Sequence, residues 1–200
     1  MSDAPETLTL AELLACSRVI FTRDQVVAAL AARFPEVQVK AHPGKLDMAD
    51  VLKEGTFTAP SIHVACARLH DDERLSGAQD LTLHFRAYVV AENRQIGGQQ
   101  GLTYRADEIG YALVVGLLDA LKLEYVARWG CRDLSFPEDA QGEPLFTLKT
   151  FDRGTVYYVV TWRQTLLREG VLLPNLGGGY AAQPPWRSPP WTDDPQRDDP

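Results

Sequence analysis

The stretch Thr155-Val156-Tyr157-Tyr158-Val159-Val160-Thr161-Trp162 constrains this chain more than any other. Its residues are β-branched or aromatic, the types that fit a pleated and packed surface, so it reads as a strand. Side chains of a strand alternate between two faces, and here both faces are apolar. Such a strand belongs inside a sheet covered on both sides. Period two recurs upstream. Asp80 to Glu92 puts Leu81, Leu83, Phe85, Ala87 and Val89 on one face, and Thr82, His84, Arg86 and Tyr88 on the other. Ile62, Val64 and Cys66 alternate in a strand that fades into the charged turn His70-Asp71-Asp72-Glu73-Arg74. Val37 and Val39 mark a short strand, and Phe146 and Leu148 another, followed by a turn at Asp152-Arg153-Gly154.

Helices fill the gaps between these strands. Thr9-Leu10-Ala11-Glu12 is a capping box, in which hydroxyl and carboxylate satisfy each other's orphan backbone donors. Thr22-Arg23-Asp24-Gln25 opens a second helix, with Val26, Leu30 and Phe34 as its apolar stripe, and Pro35 ends it. Residues 46–53 read as a short helix closed by Gly55. Residues 104–122 form the longest helix, with Ile109, Ala112, Leu113, Gly116, Leu117, Ala120 and Leu121 inward; Gly116 permits close approach to the sheet. Between strand and helix, residues 93–101 hold three glycines and three glutamines and read as a flexible loop.

These elements predict an α+β fold: a two-layer sandwich with helices on one face of a mostly antiparallel sheet. That leaves the second face of residues 156–162 to be covered, and a neighbouring subunit is the economical cover. The domain spans residues 1–170. Residues 171–200 form an extended or disordered arm, since Pro174, Pro184, Pro185, Pro189, Pro190, Pro195 and Pro200 hold more than half of the 13 prolines there. Within the arm, Pro184-Pro185-Trp186 recurs as Pro189-Pro190-Trp191, two aromatic anchors on a preset backbone. Its acidic end, Asp193, Asp194, Asp198 and Asp199, is expected in solvent.

Charge narrows the range of partners. Twenty Lys and Arg against 27 Asp and Glu give −7, which argues against a phosphate-gripping or lipid-docking surface. Apolar runs fall far short of the roughly 20 residues of a membrane span. The acidic N-terminus lacks the basic, then apolar, pattern of a signal peptide. Cys16, Cys66 and Cys131 cannot close a disulfide framework and read as reduced thiols.

Catalytic patterns are weak throughout. His63 and Cys66 lie an odd number apart, so a strand points them to opposite faces and they do not make a metal pair. Cys131 beside Arg132 lacks a sequence partner, and Gly97-Gly98 with Gly101 lacks a Walker ending. The expectation is no enzyme, no catalytic residues, no metal and no cofactor.

The order of elements carries a resemblance. It runs from the helix ending Ala31-Ala32-Arg33-Phe34-Pro35 through residues 37–44 to Pro60 and its following strand. It continues through Leu83-His84-Phe85-Arg86-Ala87-Tyr88-Val89-Val90, a long helix, and the final Tyr157–Trp162 strand. This order resembles the tail-terminator (tail-completion) family of Mu-like phages and prophages, over roughly residues 10–167. The resemblance implies a small α/β subunit of a hexameric ring. That ring caps the polymerised tail tube, ends tail growth and offers the joining surface for the head. The implied partners are further copies of the chain, the tail tube protein and a head–tail connector or neck protein, with DNA crossing the lumen without specific binding and no membrane. The implied location is the neck end of the virion tail, after assembly in the bacterial cytoplasm. The expected interface residues are Arg94, Gln95 and Gln99 of the polar loop, and Trp186 and Trp191 of the arm. The other reading is a soluble adaptor that recruits a partner domain through its Pro-Pro-Trp repeats.

Overall fold

A computed structural model describes residues 9–45, 57–72, 80–97, 101–123, 128–131, 133–145 and 154–167. Two helices come first, the short α1 (Leu10–Cys16) and α2 (Val19–Arg33). Strands β1 (Gln38–Ala41), β2 (Ser61–Asp72) and β3 (Asp80–Glu92) follow. A hairpin of β4 (Arg94–Ile96) and β5 (Leu102–Tyr104) leads into α3 (Ala106–Lys122). Strands β6 (Glu138–Pro144) and β7 (Thr155–Leu166) close the fold. The five-stranded sheet has the order β1-β2-β3-β7-β6. Among the described strands, only β1 and β2 pair in parallel. All other pairings in this sheet are antiparallel, so the chain is α+β with a mixed, mostly antiparallel sheet.

Local chemistry sets most boundaries. The Thr9 hydroxyl accepts from the Glu12 N–H at 3.3 Å, while the Glu12 carboxylate accepts from the Thr9 N–H at 2.7 Å, which holds Glu12 below the usual carboxylate range. Helix α2 starts at Val19, three residues before Thr22. Thr22 is therefore no cap; it lies buried on the same stripe as Val26 and Leu30. At α3, Asn93 Oδ1 accepts from the Ala106 N–H (2.7 Å) and the Glu108 carboxylate from the Arg105 N–H (2.8 Å), so the helix begins at Ala106 and Tyr104 belongs to β5.

Helix α2 packs on β1 and β2, and α3 on β3, β7 and β6. Between helices and sheet lies the main core. Leu83, Phe85, Ala87 and Val89 of β3 and Val156, Tyr158, Val160 and Trp162 of β7 face Val26, Leu30, Leu117 and Leu121. Phe85 stacks on Trp162 with ring centroids 5.2 Å apart. The close helix–sheet approach occurs at Gly110, where a Cβ would collide with the Tyr158 ring. Gly116 instead faces Phe34, whose ring edge would sit 3.0 Å from a Cβ there; Ala112 is exposed.

Two further expectations change, and a third falls on residues outside those described. Strand β2 continues through His70, Asp71 and Asp72 where a turn was expected, because β3 offers backbone partners as far as Asp80. The strand beside β7 is the polar stretch Glu138–Pro144; residues 146–149 lie outside the described residues, as do 46–53. The second face of β7 is covered from within the chain at one end. Val90 and Tyr157 pack against Phe57, Ala59 and Leu145, and Leu145 also covers Ala65, Tyr88 and Val159. His42 meets the Tyr88 ring edge-on at 5.8 Å.

Candidate functional site

The segment read as a flexible loop closes on itself. Arg94 pairs with Tyr104, Gln95 with Thr103 and Ile96 with Leu102, forming a two-stranded hairpin. Gly97 supplies a φ of +103°, and a Cβ at Gly101 would collide with the Ile96 carbonyl, so both turn positions call for glycine. The Gln95 amide donates to the Gly101 carbonyl at 3.1 Å. Arg94 and Gln95 thus stand on adjacent positions of β4 and point to opposite sides of the hairpin. Gln99, Trp186 and Trp191 lie outside the described residues, and with them the whole arm over 171–200.

Every side chain of β4 and β5 is exposed, including Ile96, Leu102 (69% exposed) and Tyr104. Exposed apolar residues continue on α3 with Tyr111 and Val115, one turn apart, and on α1 with Leu10 and Leu14, likewise one turn apart. Isolated two-stranded hairpins are marginal in water, and this one is held at its base by Asn93 on the α3 N-terminus. Sequence reasoning marked this segment for its polarity; what the structure adds is its apolar half.

A second feature lies on the sheet face away from the helices. A register shift between Cys66 and Arg68 places Arg68 opposite His84. His84 pairs with Arg163, and Arg163 with Glu138, just before a second shift on β6. Two bulges therefore bracket one charged row that crosses four strands: Arg68, His84, Arg163, Glu138. Asp139, within the second bulge, has a left-handed φ of 53°. Its carboxylate accepts from Arg163 Nε at 2.9 Å, while Glu138 accepts from Arg163 Nη2 at 3.1 Å. Arg68, His84 and Arg163 of this row line a groove of about 410 Å³, together with Lys45, Arg86, Asp139, Gln141, Glu143 and Thr161. Partial burial, then the Arg68 and Arg163 charges, hold the His84 pKa below its ordinary value, despite the opposing pull of Asp139.

The histidines and thiols singled out by spacing have structural surroundings. His63 is buried, its Nε2 lies 3.0 Å from Ser61 Oγ, and its ring meets Phe57. Burial first, then the nearby His42 and Lys40, push its pKa down to about 4. Cys66 points to the opposite face, into the main core, and burial raises its thiol to about 11. Burial raises Cys131 to about 11 as well, so neither thiol ionises at neutral pH. Among the described residues, no group of three or more His, Cys, Asp or Glu is placed to hold a metal ion. No described helix is long and apolar enough to cross a membrane.

One buried polar cluster escaped sequence reasoning. The Gln164 side-chain oxygen accepts from the indole N–H groups of Trp129 (2.7 Å) and Trp162 (3.0 Å), and its amide donates to the Ser135 carbonyl (2.7 Å). Gln164 is 1% exposed. This cluster pins the segment around Trp129 and Leu134 to the end of β7, and its partners identify it as structural. Compared with protein-family models and with curated proteins, the chain matches none of either.

Proposed function

We propose that this chain is a subunit of a ring that caps the tail tube of a long-tailed phage, ends tube polymerisation and forms the joining surface for the head. The hairpin β4–β5 is the observation that carries this reading. It is a β-ribbon exposed at all six positions, bearing Ile96, Leu102 and Tyr104 beside Arg94 and Gln95, and anchored to α3 at its base. Apolar side chains held out from a core on a fixed stem suit insertion against a neighbouring copy or the tube. The order of helices and strands, with one long helix between β3 and the final strands, accords with the resemblance seen in the sequence. In this reading the ring is a hexamer whose partners are the tube protein and a connector or neck protein. DNA crosses its lumen unheld by an acidic chain of net charge −7.

The experiment is electron microscopy of particles assembled without this chain. Tails of uncontrolled length, or full heads lacking tails, are the expected outcome; normal particles would overturn the reading. Replacing Ile96 and Leu102 by Asp should reproduce that phenotype while circular dichroism of the purified protein stays unchanged.

A further inference from the structure

The charged row on the second sheet face is unevenly neutralised. Arg163 has two carboxylates, Glu138 and Asp139. Arg68 and the half-buried Arg86 have no ion pair among the described residues, although both line the same groove. Lys45 adds a further cation at its edge. A guanidinium taken partly out of water without an anionic acceptor forgoes charge-assisted hydrogen bonds that a carboxylate would supply. In a chain with seven more acidic than basic residues, two arginines on one sheet face without an ion pair among the described residues point to a missing anion.

The chain itself carries a candidate. Residues 192–200 read Thr-Asp-Asp-Pro-Gln-Arg-Asp-Asp-Pro, with four aspartates and one arginine. The described fold ends at Leu167, next to the Leu81–Leu166 pair, and only three further pairs along β3 and β7 lead to the His84–Arg163 pair at the groove. The 25 residues between Leu167 and Asp193 reach up to about 80 Å if extended, many times what is needed. Closing a loop of that length costs little more than closing one half as long. Prolines in the connecting stretch lower the entropy lost on docking.

We propose that the groove lined by Lys45, Arg68, His84 and Arg86 is a docking site for the acidic segment 192–200 of this chain, with aspartate carboxylates on Arg68 and Arg86. This docking replaces the solvated position that the sequence leads one to expect for Asp193, Asp194, Asp198 and Asp199. This goes beyond the ring reading and does not depend on it, because the contact is tested on the isolated protein.

The test uses the full chain. Carbodiimide activation joins carboxylates to an amine at zero length, and mass spectrometry should find Lys45 linked to Asp193, Asp194, Asp198 or Asp199. The yield should fall about tenfold in the Arg68→Gln, Arg86→Gln double variant, and likewise in about 1 M salt, where the screening length shrinks to about 3 Å. Equal yields in wild type and double variant, or Lys45 linked only to Asp139 or Glu143, would overturn the proposal. A second measurement leaves the folded domain untouched. Replacing the four aspartates by Asn should lower the His84 titration midpoint seen by NMR, since nearby carboxylates favour the imidazolium. An unchanged midpoint would overturn it equally. Dilution separates a contact within one chain, which is concentration-independent, from the same contact between two copies.

Discussion

Trp162 and Arg163 are neighbours on β7, yet they inhabit opposite worlds. Trp162 is 3% exposed, stacked on Phe85 and hydrogen-bonded to Gln164; the Arg163 side chain is 45% exposed and held by two surface carboxylates. The helix-covered face is continuous and dry across β2, β3 and β7. The other face is divided, with an apolar end under Phe57, Ala59 and Leu145 and a polar end that forms the groove. One face holds the fold together, while half of the other is left free for charge. The alternation of a strand says which residues share a face; what covers that face depends on parts of the chain far away in sequence.

This contrast can be broken most strongly on the dry side. Phe85→Ala removes a fully buried ring and its stack on Trp162, and should cost about 3–5 kcal/mol by urea unfolding. Gln164→Leu keeps the volume but leaves two buried indole N–H groups without their acceptor. Its expected cost is about 2–3 kcal/mol, with a shift in tryptophan fluorescence that Phe85→Ala shares only through Trp162.

The covered end of the second face should reveal itself through pH. His63 has a folded pKa of about 4, below its ordinary 6.5, so the folded state binds the proton less readily than the unfolded one. Its neutral form suits the fold fully above about pH 6.5, and stability is lost as pH falls towards 4. Thermal melts across that window should decline more steeply for wild type than for His63→Asn, which cannot titrate. Equal slopes would place the burial of His63 in doubt. The smallest effect belongs to the polar end: Arg163→Gln removes two exposed ion pairs and should cost less than about 1 kcal/mol.

How much of this was legible in the sequence follows from the range of each interaction. The Thr9–Glu12 box spans three residues and is read directly from the letters. The bounds of β3 follow from its own alternation. The start of α2 was hidden because no side chain caps it; Arg18, at that position, reaches Asp133 and the Leu167 carbonyl, more than a hundred residues away. Strand β6 has neither alternation nor any large apolar residue to betray it, and exists through its ladder to β7. The hairpin reads as a loop because its strands are three residues long and its pairing depends on two glycines. Arg86 and His84 were visible as the polar face of a strand. That His84 meets Arg68 depends on the bulge in β2, and a bulge shifts register without leaving a mark in composition.

The outer strands have a consequence for how densely copies of this protein can be crowded. An unprotected sheet edge is a template on which further chains add, strand upon strand, into fibres. Here the two margins are blunted in different ways. Strand β1 is only four residues long, too short to seed a stable added ladder. Strand β6 carries Glu138, Asp139 and Glu143, a bulge and a terminal proline, each of which discourages a stranger from pairing there. Copies at high local concentration are thereby steered away from open-ended stacking.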